Sequence, residues 1–284
     1  MAEASPYPHP RFTYERRRHE SPSGPVVYFD EGEGDVLLFV HGLVGSFTHF
    51  QYILPEVAKR YRVIGIDLPG CGDSPHTGQR PNMDTYANAV LSLLDARSVK
   101  RATLVGHSAG GQVVARVAEL ARHRVDRLVL MNPAGLRGYL PPLRLAARVF
   151  MRPPVVAVLL GVFVDQILNH VFHAKNEHTM HFTREQMGRY PRHKLLYGMG
   201  RVFRDIVPEV MRPGVLDARH SLTMPVLVIW GDTDRLVPLE KVKDAVSKLP
   251  SAELKVIHEC GHMPMIEAPE ETRRLLDAFL GGAA

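Results

Sequence analysis

Residues 104–111 read Leu-Val-Gly-His-Ser-Ala-Gly-Gly, and this short stretch limits the fold more than any other. An apolar run, Ala102 to Val105, leads into Gly106-x-Ser108-x-Gly110, and an alanine-rich segment, Ala109 to Ala121, follows. The spacing predicts a strand, a sharp turn and a helix in immediate succession. So tight a turn strains the backbone at Ser108, and glycines at 106 and 110 let strand and helix approach each other. In an open α/β sheet, a residue at such a turn projects above the C-terminal strand edge, where ligands bind. The helix N-terminus points at the same place and favours developing negative charge. Alone, G-x-S-x-G is a pattern that turns produce by chance; between a strand and a helix it is specific.

The rest of the chain agrees with an alternating α/β reading. Val36 to Val40 is a continuous apolar run, as a buried parallel strand should be. Strands are expected at Arg62–Asp67, Arg127–Met131, Val226–Trp230 and Glu253–His258. Helices are expected at Thr48–Lys59 (bent by its proline), Asp84–Ala96 (capped by Asp84), Leu239–Leu249 and Pro269–Leu280. The start, to about Gly24, reads as loose chain with one strand at Phe12–Arg16. The alternation implies a mostly parallel central sheet with helices on both faces. It stops after Gly135 and resumes at Pro225, where the next strand begins. The expected organisation is therefore a core of residues 1–134 and 216–284, interrupted by a helical insertion at 135–215.

Composition narrows the function. The chain has 284 residues, enough for one large core, with 45% hydrophobic and 23% charged residues. Two cysteines, Cys71 and Cys260, are too few for a disulfide framework and read as incidental thiols. Fifteen histidines form no Cys/His cluster with zinc spacing, so no metal is expected. The net charge is +5 and the sequence pI about 9.3, but no aromatic–basic motif accompanies it, and nucleic acid is not an expected partner. No stretch approaches the roughly 18 apolar residues of a spanning helix. Met1 to Phe12 holds no apolar signal core, so a cytoplasmic protein is expected.

In order along the chain, His41-Gly42, Asp67-Leu68-Pro69-Gly70-Cys71-Gly72-Asp73-Ser74, the turn at Ser108, Gly231-Asp232-Thr233-Asp234-Arg235-Leu236-Val237-Pro238 and Gly261-His262 stand as landmarks. From about Val26 onward they resemble the α/β-hydrolase superfamily. The resemblance implies the α/β-hydrolase fold with a cap over the site, no cofactor, and a Ser-acid-His triad. A serine hydroxyl needs a base within reach, and the base an orienting carboxylate. Ser108 is then the nucleophile. His262, after the last strand, is the base; His258, at the end of the strand itself, is the rival read as structural. Asp232 and Asp234 both sit in the loop that should carry the acid. The family pattern G-x-x-D-x-x-x-P falls on Gly231, Asp234 and Pro238, which selects Asp234. The family's oxyanion donors are two backbone N–H groups, here Leu43 and Ala109. His41 is expected to hold its loop, and His107 to be a packed or hydrogen-bonded neighbour. Serine at 108, where relatives that open epoxides carry aspartate, points to acyl chemistry.

The insertion carries the basic balance. Residues 135–215 hold twelve Arg and Lys against five Asp and Glu, +7, so the remainder of a chain at +5 carries −2. Residues 155–164 are uniformly apolar, too short to span a bilayer. One reading is insertion core packed on the body. The other is a lipid-facing surface giving peripheral membrane contact. Both imply an apolar substrate. The leading expectation is hydrolysis of an apolar, lipid-like carboxylic ester. Carbon–carbon bond hydrolysis of a ring-cleavage product, acyl transfer, lactone hydrolysis and a non-catalytic small-molecule receptor are the alternatives. The oligomeric state is left open.

Overall fold

The computed structural model describes residues 14–77, 80–156, 158, 162, 166, 170–189 and 192–281. Eight strands form one sheet: β1 (Arg17–Ser21), β2 (Gly24–Glu31), β3 (Val36–Val40), β4 (Arg62–Asp67), β5 (Ala102–His107), β6 (Val125–Met131), β7 (Val226–Gly231) and β8 (Ala252–Ile257). Their order is β1-β2-β4-β3-β5-β6-β7-β8. β1 and β2 pair antiparallel, as do β2 and β4, and every other pairing is parallel. The central strands β5 and β7 are buried at every residue, because apolar layers cover both faces. One layer packs around Leu38, Leu104, Val113, Leu128 and Trp230. The other packs around Phe29, Phe39, Phe50, Val129 and Leu276.

Among the described residues the longer helices are α1 (Met83–Ala96), α2 (Ala109–Leu120), α3 (Pro141–Phe150), α4 (Glu177–Arg189), α5 (Arg192–Val210) and α6 (Pro269–Leu280). In α1, Met83, Tyr86, Ala87, Val90, Leu93 and Leu94 are buried, the i, i+3, i+4, i+7 spacing of a one-sided apolar face. Its N-cap is Asn82, not Asp84: the Asn82 side chain accepts from Thr85 N–H. Gly281, at φ 82°, ends α6 in the left-handed conformation that glycine adopts without strain.

Three other expectations need correction. The first strand is Arg17–Ser21 rather than Phe12–Arg16; Phe12 and Thr13 lie outside the described residues. Its register is set by pairing with β2 across Ser21↔Gly24, a partnership that a basic run of arginines does not announce. Thr48–Lys59 is not one helix but a 3₁₀ turn, Phe47–Phe50, and a single α-turn, Leu54–Val57. Pro55 removes a backbone donor there, and Ser46 caps the first piece through Thr48 N–H. Leu239–Leu249 likewise divides into Leu239–Lys241 and Lys243–Val246, with Val242 leaving helical geometry at φ −128°.

Helices α3, α4 and α5 all belong to the segment between β6 and β7, and α3 packs on α5. Of the apolar run 155–164, Ala157, Leu159, Leu160, Gly161, Phe163 and Val164 lie outside the described residues. No described helix is long and apolar enough to cross a membrane.

Candidate active site

Ser108 occupies the joint between β5 and α2 at φ 51°, ψ −118°, a region that non-glycine residues visit only under constraint. The constraint is visible. Ser108 N–H donates to Met131 O at 3.0 Å, while Ser108 O accepts from Gly111 N–H at 3.0 Å and Ala134 N–H at 2.9 Å. The ends of three elements hold the turn. The glycines fit the close approach: a Cβ on Gly110 would strike the carbonyl oxygens of Val40 and His41. A Cβ on Gly42 would lie 3.1 Å from Ser108 Cβ and 2.9 Å from His107 Nδ1. The loop after β3, carrying Leu43, therefore lies against the Ser108 turn. Ala109, the first residue of α2, has no carbonyl one helical turn before it to take its N–H.

His41 fixes that loop with both ring nitrogens. Nδ1–H donates to Gly42 O at 2.7 Å, and Nε2 accepts from Leu68 N–H at 3.0 Å. Burial drives its pKa down to about 4 against the opposing pull of the Gly42 carbonyl, so it stays neutral. The Asp67–Ser74 landmark also serves the backbone. Asp67 accepts from Phe47 N–H and Asp73 N–H, both at 2.8 Å. Ser74 Oγ donates to Asp67 O and accepts from Val27 N–H, both at 2.7 Å.

The two candidate acids and two candidate bases separate into two pairs. His262 Nδ1 and Asp234 Oδ2 are 2.7 Å apart, with side chains 6% and 0% exposed. His258 Nδ1 and Asp232 Oδ2 are 3.0 Å apart, with side chains 87% and 33% exposed. The rivals bind each other at the surface, leaving Asp234 and His262 inside. Asp234 is fully engaged: Oδ1 accepts from Leu236 N–H at 2.8 Å and Val237 N–H at 3.0 Å, and Oδ2 also accepts from Asn132 Nδ2 at 2.7 Å. Burial pushes its pKa up, but His262 and these donors outweigh it and hold the carboxyl below its ordinary value. His107, beside Ser108, donates from Nε2 to His262 O at 2.9 Å, and the two rings lie 5.0 Å apart. The structure thus sets the Leu43 loop against the Ser108 turn, and His107, next to Ser108 in the chain, joins that turn to the buried Asp234–His262 pair.

Three contributors went unread in the sequence. Asn132, at the end of β6, adopts φ 41° and is fully buried. It donates to Asp234 and accepts Gly231 N–H at 3.3 Å. Its one signal was position, immediately beyond the C-terminal end of a central strand. Glu267 gathers four backbone N–H groups: His173, Ala174 and Gly261 on Oε2 at 2.8, 3.0 and 3.0 Å, and Met263 on Oε1 at 3.1 Å. His262 N–H itself donates to Val171 O at 2.9 Å. The insertion is stitched to the His262 loop. His49 lies over Gly45, with its ring 5.9 Å from His107 and 5.6 Å from Phe182 of α4. Burial and the neighbouring imidazoles hold it well below the ordinary histidine pKa. No motif distinguishes it among fifteen histidines.

Among the described residues no group of His, Cys, Asp and Glu is arranged to hold a metal ion. Both cysteines are free and buried, and burial raises the Cys71 thiol to about 12 and the Cys260 thiol also upward, where neither forms a thiolate at neutral pH.

Comparison with known proteins bears on the fold and the family. A thermophilic esterase from Thermogutta terrifontis superimposes with a TM-score of 0.78 at 23% identity, covering 94% of this chain and 98% of its own. The dihydrolipoyllysine-residue acetyltransferase component of the acetoin cleaving system of Pseudomonas putida is 33% identical over 88% of this chain, and this chain spans only 64% of that relative's length. The 2-hydroxymuconate semialdehyde hydrolase of Pseudomonas sp. (strain CF600) is 27% identical over 89% of both chains. The model of the alpha/beta hydrolase fold matches residues 35–269. With that match over most of its length, and an eight-stranded sheet bearing Ser108 at the joint of β5 and α2, the chain belongs to the α/β-hydrolase family.

Proposed function

We propose that the protein is a serine hydrolase that cleaves carboxylic esters of apolar acids. The observation that carries this reading is the strained Ser108 turn beside a buried Asp234–His262 pair. Ser108 Oγ attacks the ester carbonyl while His262 takes its proton through Nε2, the nitrogen facing away from Asp234. Nδ1–H donates to the Asp234 carboxylate, which fixes the tautomer and stabilises the imidazolium that forms. The oxyanion accepts from the N–H groups of Leu43 and Ala109. His262 then delivers its proton to the leaving alcohol, giving an acyl-serine. Water, deprotonated by the same imidazole, releases the acid and restores Ser108.

The apolar preference is supported by what the insertion, acting as a cap, brings towards the site. Phe172 and Phe182 are buried together with Met263, and Phe182 packs on His49. Each buried methylene is worth about 0.8 kcal/mol, so two more acyl carbons should raise kcat/KM roughly tenfold until the pocket is full. Hydrolysis of p-nitrophenyl esters from acetyl to dodecanoyl tests this. A preference for acetyl over octanoyl would defeat the apolar reading, and no turnover at any length would defeat the ester reading.

A second reading, hydrolysis of a carbon–carbon bond in a dienoic ring-cleavage product, is favoured by the 27% identical 2-hydroxymuconate semialdehyde hydrolase. It requires the substrate to be protonated at carbon before the same serine chemistry. Loss of the dienoate chromophore, with p-nitrophenyl esters left intact, would support it over the ester reading.

A further inference from the structure

The first part of the insertion exposes a set of side chains with the character of an interface with lipid. Leu140, Leu143, Leu145, Phe150, Val158 and Val162 are each between 53% and 72% exposed. Single exposed apolar side chains are ordinary, but a concentration of large ones in one short segment is not. At about 100° per residue, Leu143 and Phe150 project from nearly the same side of α3, Leu145 projects from a different side, and α3 also packs on α5. Charge is distributed to match. From residue 135 to residue 164 the sequence holds Arg137, Arg144, Arg148 and Arg152 and no Asp, Glu or Lys. The flanking acids in sequence are Asp126 and Asp165. Arg137 and Arg152 are exposed, and Arg137 sits 5.5 Å from the Tyr139 ring, an aromatic of the kind that settles at a headgroup boundary. Exposed Leu and Phe interleaved with cations and free of anions fit a negatively charged apolar surface. A second copy of this chain, equally positive along this face, would be repelled by it.

We propose that α3, with Arg137 and Arg152 flanking it and the exposed Val158 and Val162 beyond, forms a docking surface for anionic bilayers, with α3 lying at the headgroup boundary and Leu143 and Phe150 entering the acyl layer. None of these residues belongs to the proposed catalytic machinery, and vesicle binding reports on the surface without any turnover. The test is co-sedimentation of the full chain, and of Ser108→Ala to remove lipid hydrolysis, with vesicles of phosphatidylcholine mixed with phosphatidylglycerol. Pure phosphatidylcholine and high salt are the comparisons. The expected result is binding to the mixed vesicles that weakens in salt and on pure phosphatidylcholine. The double variant Leu143→Glu, Phe150→Glu should lower the partition coefficient at least tenfold. Arg137→Gln with Arg152→Gln should lower it about fivefold per arginine at low salt. Both variants should keep the circular dichroism spectrum and the turnover of a soluble ester. If the glutamate pair disturbs folding, the surface arginine pair decides alone. Absence of wild-type binding, or binding that survives both variants, overturns the proposal. So does a concentration-dependent dimer that the glutamate pair dissolves in the absence of vesicle binding, since the face would then belong to a second copy.

Discussion

Replacing Glu267 with glutamine tests whether the His262 loop is held by charge. The carboxylate is 5% exposed and accepts four backbone N–H bonds, two from Gly261 and Met263 on either side of His262 and two from His173 and Ala174 of the insertion. Glutamine preserves the volume but owns only one acceptor oxygen. In its best orientation that oxygen meets the three donors now on Oε2, and the NH₂ faces Met263 N–H. One bond is lost outright, leaving a buried donor unsatisfied at about 1–3 kcal/mol. The other three lose charge assistance, about 1 kcal/mol each. Easier burial of a neutral amide offsets part of this. The net expectation is about 2–4 kcal/mol, a fall in Tm of about 3–7 °C for a chain of this size.

Activity should fall with stability, because the carboxylate positions the backbone on both sides of the imidazole. We expect kcat to drop about 10–100-fold with KM changed less, the signature of a misplaced reacting group rather than lost substrate binding. Glu267→Ala should be worse on both measures. Glu253→Gln, which breaks only the exposed pair with Lys255, is the control and should cost less than about 1 kcal/mol. Scanning calorimetry and ester kinetics on the three variants decide the matter. A Glu267→Gln protein with wild-type Tm and wild-type kcat would refute the reasoning.

Ser108→Ala should reduce kcat on the order of 10⁴–10⁶-fold without loss of fold, and a fluorophosphonate should label Ser108 and no other serine; labelling elsewhere would remove Ser108 from its role. Asp234→Asn should cost roughly 10⁴-fold in kcat, whereas Asp232→Asn should stay near wild type; equal kinetics for the two would misplace the acid. His262→Ala should be nearly inactive and His258→Ala nearly unaffected, because the second imidazole is paired at the surface; the reverse order would exchange their roles. Acid should destabilise the protein before its carboxylates titrate. His41 and His107 are driven by burial to about 4 and about 3, against about 6.5 unfolded. The unfolded chain therefore binds more protons below pH 6.5, and stability is full above that value and falls as pH drops towards 4. The loss is about 1.4 kcal/mol per pH unit for each histidine, so urea midpoints that stay level from pH 7 to pH 5 would contradict it.

What the sequence revealed followed from local physics. The joint at Ser108 was legible because strand, turn and helix meet within six residues and the glycines are forced by close approach. β3, β4 and α6 were located to the residue, since continuous apolar runs and a clean amphipathic period leave little choice of boundary. β1 was misplaced because an edge strand pairing on one side needs no apolar run, and Arg17–Ser21 has none. Asn132 and Glu267 were invisible for another reason. Each acts by satisfying backbone or carboxylate partners distant in sequence, Asp234 for one and His173 for the other, and no local pattern encodes a partner roughly a hundred residues away. Choosing Asp234 over Asp232 lay between these cases: spacing selected it, but burial is what separates the pairs.

Burial also sorts the four imidazoles gathered near Ser108. His41 uses both ring nitrogens on backbone, so its ring is committed to the loop that carries Leu43. His107 donates Nε2–H to the carbonyl of His262, which leaves Nδ1 as a lone-pair nitrogen, buried and unpartnered, against Gly42. A proton there would have no acceptor among the described residues. His49 is held neutral by burial and by its neighbours. His262 is the one of the four hydrogen-bonded to a carboxylate, and that carboxylate is kept ionised by donors that no proton transfer disturbs. Three neutral rings and one paired ring mean that positive charge developing near Ser108 has a single compensated location. That asymmetry comes from partners rather than from residue type: the chain places four histidines within one cluster and gives only one of them an anion to lean on.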